Sequence, residues 1–351
     1  MTGAVGRGRN QTLSLRVGRV STRVDVSSLV WSTVAVALTL AVGALSLTLG
    51  DYRIPLPLVL DTLSGQGTLI LNDIVLNGRL PRVLVGIGVG TAFGVSGAIF
   101  QRLARNPLVS PDLIGVNAGA ALAAVLMITV LGSGWIPGGA LLGSLLAATA
   151  VYLLAYRDGV SGYRLVLVGI GVTAIIGSVT AYLLTLADIY TAKSASQWLA
   201  GSLAGRSWSH AVLIGVALVI LLPAAVAGAR QLRLLELGDD LARTLAGRVE
   251  LSRGLLILVG VALAALATAA AGPIAFVALV APQLARRLVA ERVAGLLMAG
   301  ALGALLVVAS DLVARQILAP TQLPVGIVTA FLGAPYLLIL MARANRIGSG
   351  G

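Results

Sequence analysis

Two arginines three residues apart, Arg79 and Arg82, stand at the mouth of a long apolar run, and a third, Arg315, lies near the end of another. Residues three apart on a helix share a face, so the first two make one basic patch. Such a patch can grip carboxylates; it cannot break bonds. Little else in the chain could do chemistry. His210 is the one histidine, cysteine is absent, and only 13 of 351 residues are acidic. Metal clusters, thiol nucleophiles and acid–base pairs therefore have almost nothing to be built from, and no cofactor is expected. Gly86, Gly88, Gly90, Gly94 and Gly97 look at first like a nucleotide loop. A dinucleotide fingerprint, however, needs a preceding strand, a soluble helix and a downstream acid. In wholly apolar surroundings these glycines instead let helices touch backbone to backbone. No G-x-x-x-x-G-K-[ST] phosphate loop occurs, so the chain lacks an ATP motor of its own. Asp311 is the main ionisable residue within an apolar run, too little for a proton or sodium relay.

The elements that position these residues are membrane helices. A composition 58% hydrophobic and 11% charged, with mean hydropathy +0.99, excludes a soluble globule. After a polar, basic tail (1–27), apolar runs read as spans at 28–49, 79–100, 113–131, 138–156, 165–187, 211–228, 254–271, 274–290, 294–317 and 324–342. The first run is too long for a signal-peptide core. Pro107 and Pro111 cannot share one regular helix, so the chain re-enters the membrane between the second and third spans. Residues 50–78 read as an outer loop with an interfacial segment, and Trp198 and Trp208 place 187–209 at the membrane surface. The expected fold is all-α and polytopic, with ten spans (28–345), a short tail (346–351) and both termini on one side.

Arginine placement sets the orientation. With the amino terminus inside, most of the 25 basic residues fall in tails and inner loops. The net charge of +12 thus reports topology rather than nucleic-acid binding. Arg53, Arg79, Arg82, Lys193, Arg206 and Arg315 fall outside, as rim charges or as a receptor for something acidic. The inner segment 230–253 carries a leucine stripe, with Glu236, Asp239, Asp240 and Arg243 facing away and Gly238 and Gly247 breaking it. It reads either as a linker on the lipid surface or as a coupling helix that plugs into a partner. Leu80-Pro81-Arg82 and Leu251-Ser252-Arg253 open two glycine-bearing runs from opposite faces, the mark of an inverted repeat.

The ordered motifs over 28–345 resemble the FecCD-type permeases. They are Arg79-Leu80-Pro81-Arg82; Ser96-Gly97-Ala98 with Gln101; Asn106-Pro107-Leu108 with Pro111 and Gly115-Val116; and Trp198 to Leu203. Further along come Leu237-Gly238 with Ala242 and Leu245 to Gly247; Gly272-Pro273-Ile274-Ala275-Phe276 with Ala281-Pro282; Asp311 with Ala314-Arg315; and Leu323-Pro324-Val325-Gly326 with Thr329 and Gly333-Ala334-Pro335.

The resemblance implies a type II ABC importer permease in the bacterial cytoplasmic membrane, termini cytoplasmic, paired with a second permease copy around a path for a ferric siderophore, or for cobalamin or haem. It implies that Arg79, Arg82 and Arg315 meet glutamates of a substrate-binding protein. Leu237, Gly238, Asp239, Ala242, Leu245 and Gly247 would rest on a separate ATPase subunit. Gln101, Asn106, Pro107, Pro111, Gly272, Pro273, Pro282, Pro324 and Gly326 would frame the path. This chain has Gln283 where the family usually has histidine, and Gln322 where it has glutamate, each keeping hydrogen bonding and losing a charge. Gly162 and Tyr163 replace small polar residues at the family's inner gate. A secondary transporter or a membrane-embedded enzyme are the competing classes, and the chain offers too few carboxylates for the first and no nucleophile for the second.

Overall fold

The computed structural model describes residues 12–17, 20–131, 136–157, 162–237, 249–289 and 292–348. In chain order the elements are β1 (Thr12–Val17), β2 (Val20–Asp25), α1 (Val26–Thr48), α2 (Leu56–Leu63), α3 (Leu69–Asn72), α4 (Leu80–Leu103), α5 (Val116–Leu126), α6 (Ile136–Ala155), α7 (Gly162–Leu186), α8 (Ile189–Leu199), α9 (Trp208–Ala227) and α10 (Ala229–Glu236). After residues 238–248, which lie outside the described set, follow α11 (Val249–Ala271), α12 (Val277–Leu288), α13 (Arg292–Gln316) and α14 (Val325–Gly348).

The helix at the centre is α4. A π-helical stretch, Asp73–Arg79, joins it to α3, giving one helical rod over Leu69–Leu103. At 1.5 Å per residue that rod is about 50 Å long, well beyond the roughly 30 Å of a bilayer core. It is 83% buried over its most apolar window, against 17% for α7 and α9 and 22% for the first span. Glycine makes that burial possible. A Cβ at Gly90 would run into the carbonyl of Gly303, one at Gly94 into that of Ala299, and one at Gly97 into that of Ala278. The seam is reciprocal, because a Cβ at Gly303 would strike the carbonyl of Gly90. Close backbone approach is what the glycine run of α4 is for.

Among the described residues, seven helices are long and apolar enough to span a membrane. The third and tenth expected spans are shorter apolar helices, Val116–Val130 and Val325–Ile339. The eighth is shorter still. α12 has 12 residues, about 18 Å, because Gly272 (φ 79°) and Pro273 end α11 and helix resumes only after Phe276.

Within the basic tail, β1 and β2 pair antiparallel, with Leu13 opposite Val24 and Leu15 opposite Thr22, ahead of the all-α membrane body. One further expectation needs correction: Trp198 is not an interfacial anchor. It is buried among Ala120, Ala124, Ala140 and Ala269. Trp208 is exposed, and its Nε1 donates to the Leu76 carbonyl at 2.9 Å.

Candidate functional site

The three arginines expected at the outer rim converge. They are tied down by the protein itself, however. Arg82 reaches Asp311 side-on, with Nε 3.0 Å from Oδ2 and Nη2 2.9 Å from Oδ1, while Nη1 donates to Gln322 Oε1 at 2.8 Å. Arg315, one turn beyond Asp311 on α13, lies 3.4 Å from the same carboxylate. Its Nη2 donates to the Ser46 carbonyl at 3.2 Å and to the Ser46 hydroxyl, and Nη1 donates to the Leu49 carbonyl at 3.4 Å. Arg79 donates to the carbonyls of Leu47 and Tyr52.

Two of the three therefore cap α1. The last carbonyls of a helix have no partner within it, and the negative end of its dipole favours cations. Arg79 and Arg315 supply both needs for α1. The cluster is still electropositive, with three guanidiniums around the buried Asp311 carboxylate and the exposed Asp51. The π-helical stretch ends at Arg79 and so sets the rotation of that residue against Arg82.

The second constellation lies at the other end of α4. Gln101 donates from Nε2 to the Leu279 carbonyl at 3.0 Å and accepts from Arg286. Gln283 donates to the Pro107 carbonyl at 2.7 Å, and Arg105, at φ 50°, donates to the Leu235 carbonyl at 3.1 Å. Arg102 pairs with Glu236 at 3.5 Å. Asn106 accepts the Leu108 amide at 2.9 Å, which caps the turn after α4. Gln101 thus meets Pro282 and Arg286 of α12, Pro107 meets Gln283, and Arg102 and Arg105 meet the end of α10. Leu237 is exposed just beyond. Gly238, Asp239, Ala242, Leu245 and Gly247 lie outside the described residues. Tyr163 is exposed, and a Cβ at Gly162 would press on the Ala104 backbone.

Between the two ends, a polar chain runs through the re-entry point. Pro111 opens a short 3-10 turn (Pro111–Ile114). In it, Asp112 accepts from Asn117, and Thr268 of α11 donates to Asn117 Oδ1 at 2.8 Å. Burial pushes the Asp112 carboxyl up to about 6, against the opposing pull of its Ser110 and Asn117 hydrogen bonds. The remaining frame residues form a separate junction. Gly326 donates its amide to the Gly201 carbonyl at 3.1 Å, and a Cβ at Gly201 would strike Pro273. Gly272, Pro273, Pro324 and Gly326 therefore meet the end of α8 rather than the inner group.

This arrangement, a glycine-seamed central helix with a basic cluster at one end and a glutamine-bound loop at the other, sits within a match to the FecCD transport family model over residues 38–343. The chain belongs to the FecCD transport family. Among FecCD relatives it is 42% identical to the ferric enterobactin permease FepG of Escherichia coli (strain K12), over 87% of this chain and 93% of that protein. It is 40% identical to the achromobactin permease CbrC of Dickeya dadantii (strain 3937), over 96% and 98%. It is 37% identical to the hemin permease HmuU of Yersinia pestis, over 95% and 99%. A solved inward-facing metal-chelate type ABC transporter matches with TM-score 0.80 at 27% identity, covering 89% of this chain and 98% of that one.

Several parts of this FecCD site escape sequence reasoning. Capping of α1 by Arg79 and Arg315 leaves no trace in motif or spacing, because backbone carbonyls accept. Asp311 stands out in the sequence as an intramembrane acid, and its partners show it to be the shared counter-ion of Arg82 and Arg315. His210 acts only locally, its Nδ1 accepting the Ser207 amide at 3.4 Å at the start of α9.

Proposed function

We propose that this chain is the membrane-spanning permease subunit of a binding-protein-dependent ABC importer for a ferric siderophore, driven by separate ATPase subunits. It lies in the bacterial cytoplasmic membrane with both termini inside. The observation that carries the reading is similarity along nearly the whole chain to permeases named for enterobactin and achromobactin. Two copies, or this chain and a related permease, enclose the path. The poorly buried faces of α7 and α9 turn to lipid or to that second copy.

Each end of α4 has a role in this reading. At the outer end, the excess positive charge around Arg79, Arg82 and Arg315 attracts acidic residues of a substrate-binding protein. At the inner end, α10 and the segment Leu237 to Gly247 rest on the ATPase. Movement there reaches α4 through Arg102–Glu236 and Arg105–Leu235. The inverted repeat relates the half that begins at α4 to the half that begins at α11. A haem importer is the second reading, favoured by the length of the match to the hemin permease.

The test is uptake into proteoliposomes that hold the permease with its ATPase, supplied with binding protein and either an iron-loaded catecholate or carboxylate siderophore or haemin. ATP-dependent accumulation of the siderophore is expected. Uptake driven by an ion gradient without ATPase overturns the proposal, and accumulation of haemin alone decides for the second reading.

A further inference from the structure

We infer that Gln322 sets how strongly the outer face holds its docking protein, because it occupies, as a neutral stand-in, the position on Arg82 that an incoming carboxylate takes. The inference rests on the docking reading above and adds which arginine makes the contact and what controls it.

The three arginines are not equivalent. Arg79 and Arg315 are committed to the backbone carbonyls that close α1, and withdrawing either would uncap that helix. Arg82 is different. Asp311 holds it from one side, through Nε and Nη2, and on the opposite side its Nη1 meets only an uncharged amide. The second N–H on each of Nη1 and Nη2 has no partner among the described residues. Arg82 is 11% exposed at its side chain, whereas Gln322 is an exposed residue. Gln322 therefore lies on the solvent side of the guanidinium.

The segment that carries Gln322 is fastened in place. The Leu323 amide donates to the Ala314 carbonyl at 3.1 Å, one turn from Asp311, and the Thr321 amide donates to the Leu318 carbonyl at 2.9 Å. Held so, Gln322 offers a hydrogen bond without charge. A carboxylate arriving from solvent replaces a neutral acceptor by a charged one, the stronger bond of the two. A glutamate at this position would place a second carboxylate on Arg82, lower the net charge of the cluster by one, and repel the arriving acid. The chemistry recognised is an acidic side chain of the docking protein.

The test measures binding of the substrate-binding protein that supports uptake in the assay above to the complete permease–ATPase complex in nanodiscs, at several salt concentrations. Gln322→Glu is expected to weaken binding about fivefold, the worth of one exposed charge pair, with a shallower salt dependence. Gln322→Ala, which removes the stand-in without adding charge, is expected to bind at least as tightly as the unmodified protein. Gln322 is exposed, so both variants should fold, and an unchanged monodisperse fraction after heating checks this. If Gln322→Glu binds with unchanged affinity while Arg82→Gln weakens binding, the role of Gln322 is overturned and docking through Arg82 stands. If neither Arg82→Gln nor Arg79→Glu with Arg82→Glu changes binding, the docking reading fails and this inference with it.

Discussion

Replacing Asp311 by alanine should be among the most damaging single changes at the Arg82 end of α4, and more damaging than replacing Arg82. The Asp311, Arg82 and Arg315 side chains are only 4%, 11% and 6% exposed, so solvent screens their interactions little. Asp311 serves both arginines at once. Its removal leaves two buried guanidiniums uncompensated, and breaking a buried pair in this way costs about 3 to 5 kcal/mol. Arg82→Met removes one partner and leaves Asp311 still beside Arg315, so its cost should fall near the lower bound or beneath it. For a chain this long, about 2 °C of melting temperature accompanies each kcal/mol, so Asp311→Ala should melt roughly 6 to 10 °C lower. The assay is the fraction of detergent-solubilised permease that remains monodisperse after heating, for both single variants and the double. The double variant should be more stable than the sum of the single losses predicts, by about 1 kcal/mol or more. If Arg82→Met costs as much as Asp311→Ala, or the two losses simply add, the shared counter-ion account is wrong.

Three further outcomes are expected. Gly97→Ala drives a Cβ into the Ala278 carbonyl and should cost about 1 to 3 kcal/mol, whereas Gly215→Ala on α9, where a Cβ meets nothing, should leave the melting temperature unchanged or slightly raised. Asp112 has its folded value raised to about 6 from about 3.9 in the unfolded chain, so the stability it contributes is fully present below about pH 4 and is lost as pH rises through about 6. The loss amounts to about 3 kcal/mol, and Asp112→Asn should flatten the melting profile between about pH 4.5 and 7. Gly238→Glu with Ala242→Glu should leave assembly intact and separate ATP hydrolysis from uptake, and undiminished transport would reduce the segment to a linker.

The central helix and its seam were legible in the sequence because glycines in an apolar run have one efficient use, and Gly90, Gly94 and Gly97 serve it. The re-entry was legible too, since Pro107 and Pro111 forbid a continuous helix. The eighth expected span shows where hydropathy and helix part company. Residues 274–281 are apolar without a break, yet the Gly272-Pro273 turn delays α12 to Val277. Trp198 misled because tryptophan favours interfaces as a class, whereas this one fills a space walled by alanines. Arg79 and Arg315 show the deeper limit. Counting charges sets an expectation of which side a cation is on, but not that the carbonyls of Ser46, Leu47 and Leu49 will claim it.

The junction at Gly201, Pro273 and Gly326 has a mechanical consequence. The Ser202 amide donates to the Ala271 carbonyl at 2.9 Å and that of Gly326 to Gly201 at 3.1 Å, so the end of α8, the break before α12 and the start of α14 are riveted through backbone alone. Glycine at these crossings leaves no side chain to act as a cushion. From Gln322 to that rivet is a strut of a few residues, stiffened by Pro324, whose ring fixes its φ. A push at Gln322 is therefore not dissipated along the length of α14. It arrives where three segments share a fulcrum, and it can tilt them together.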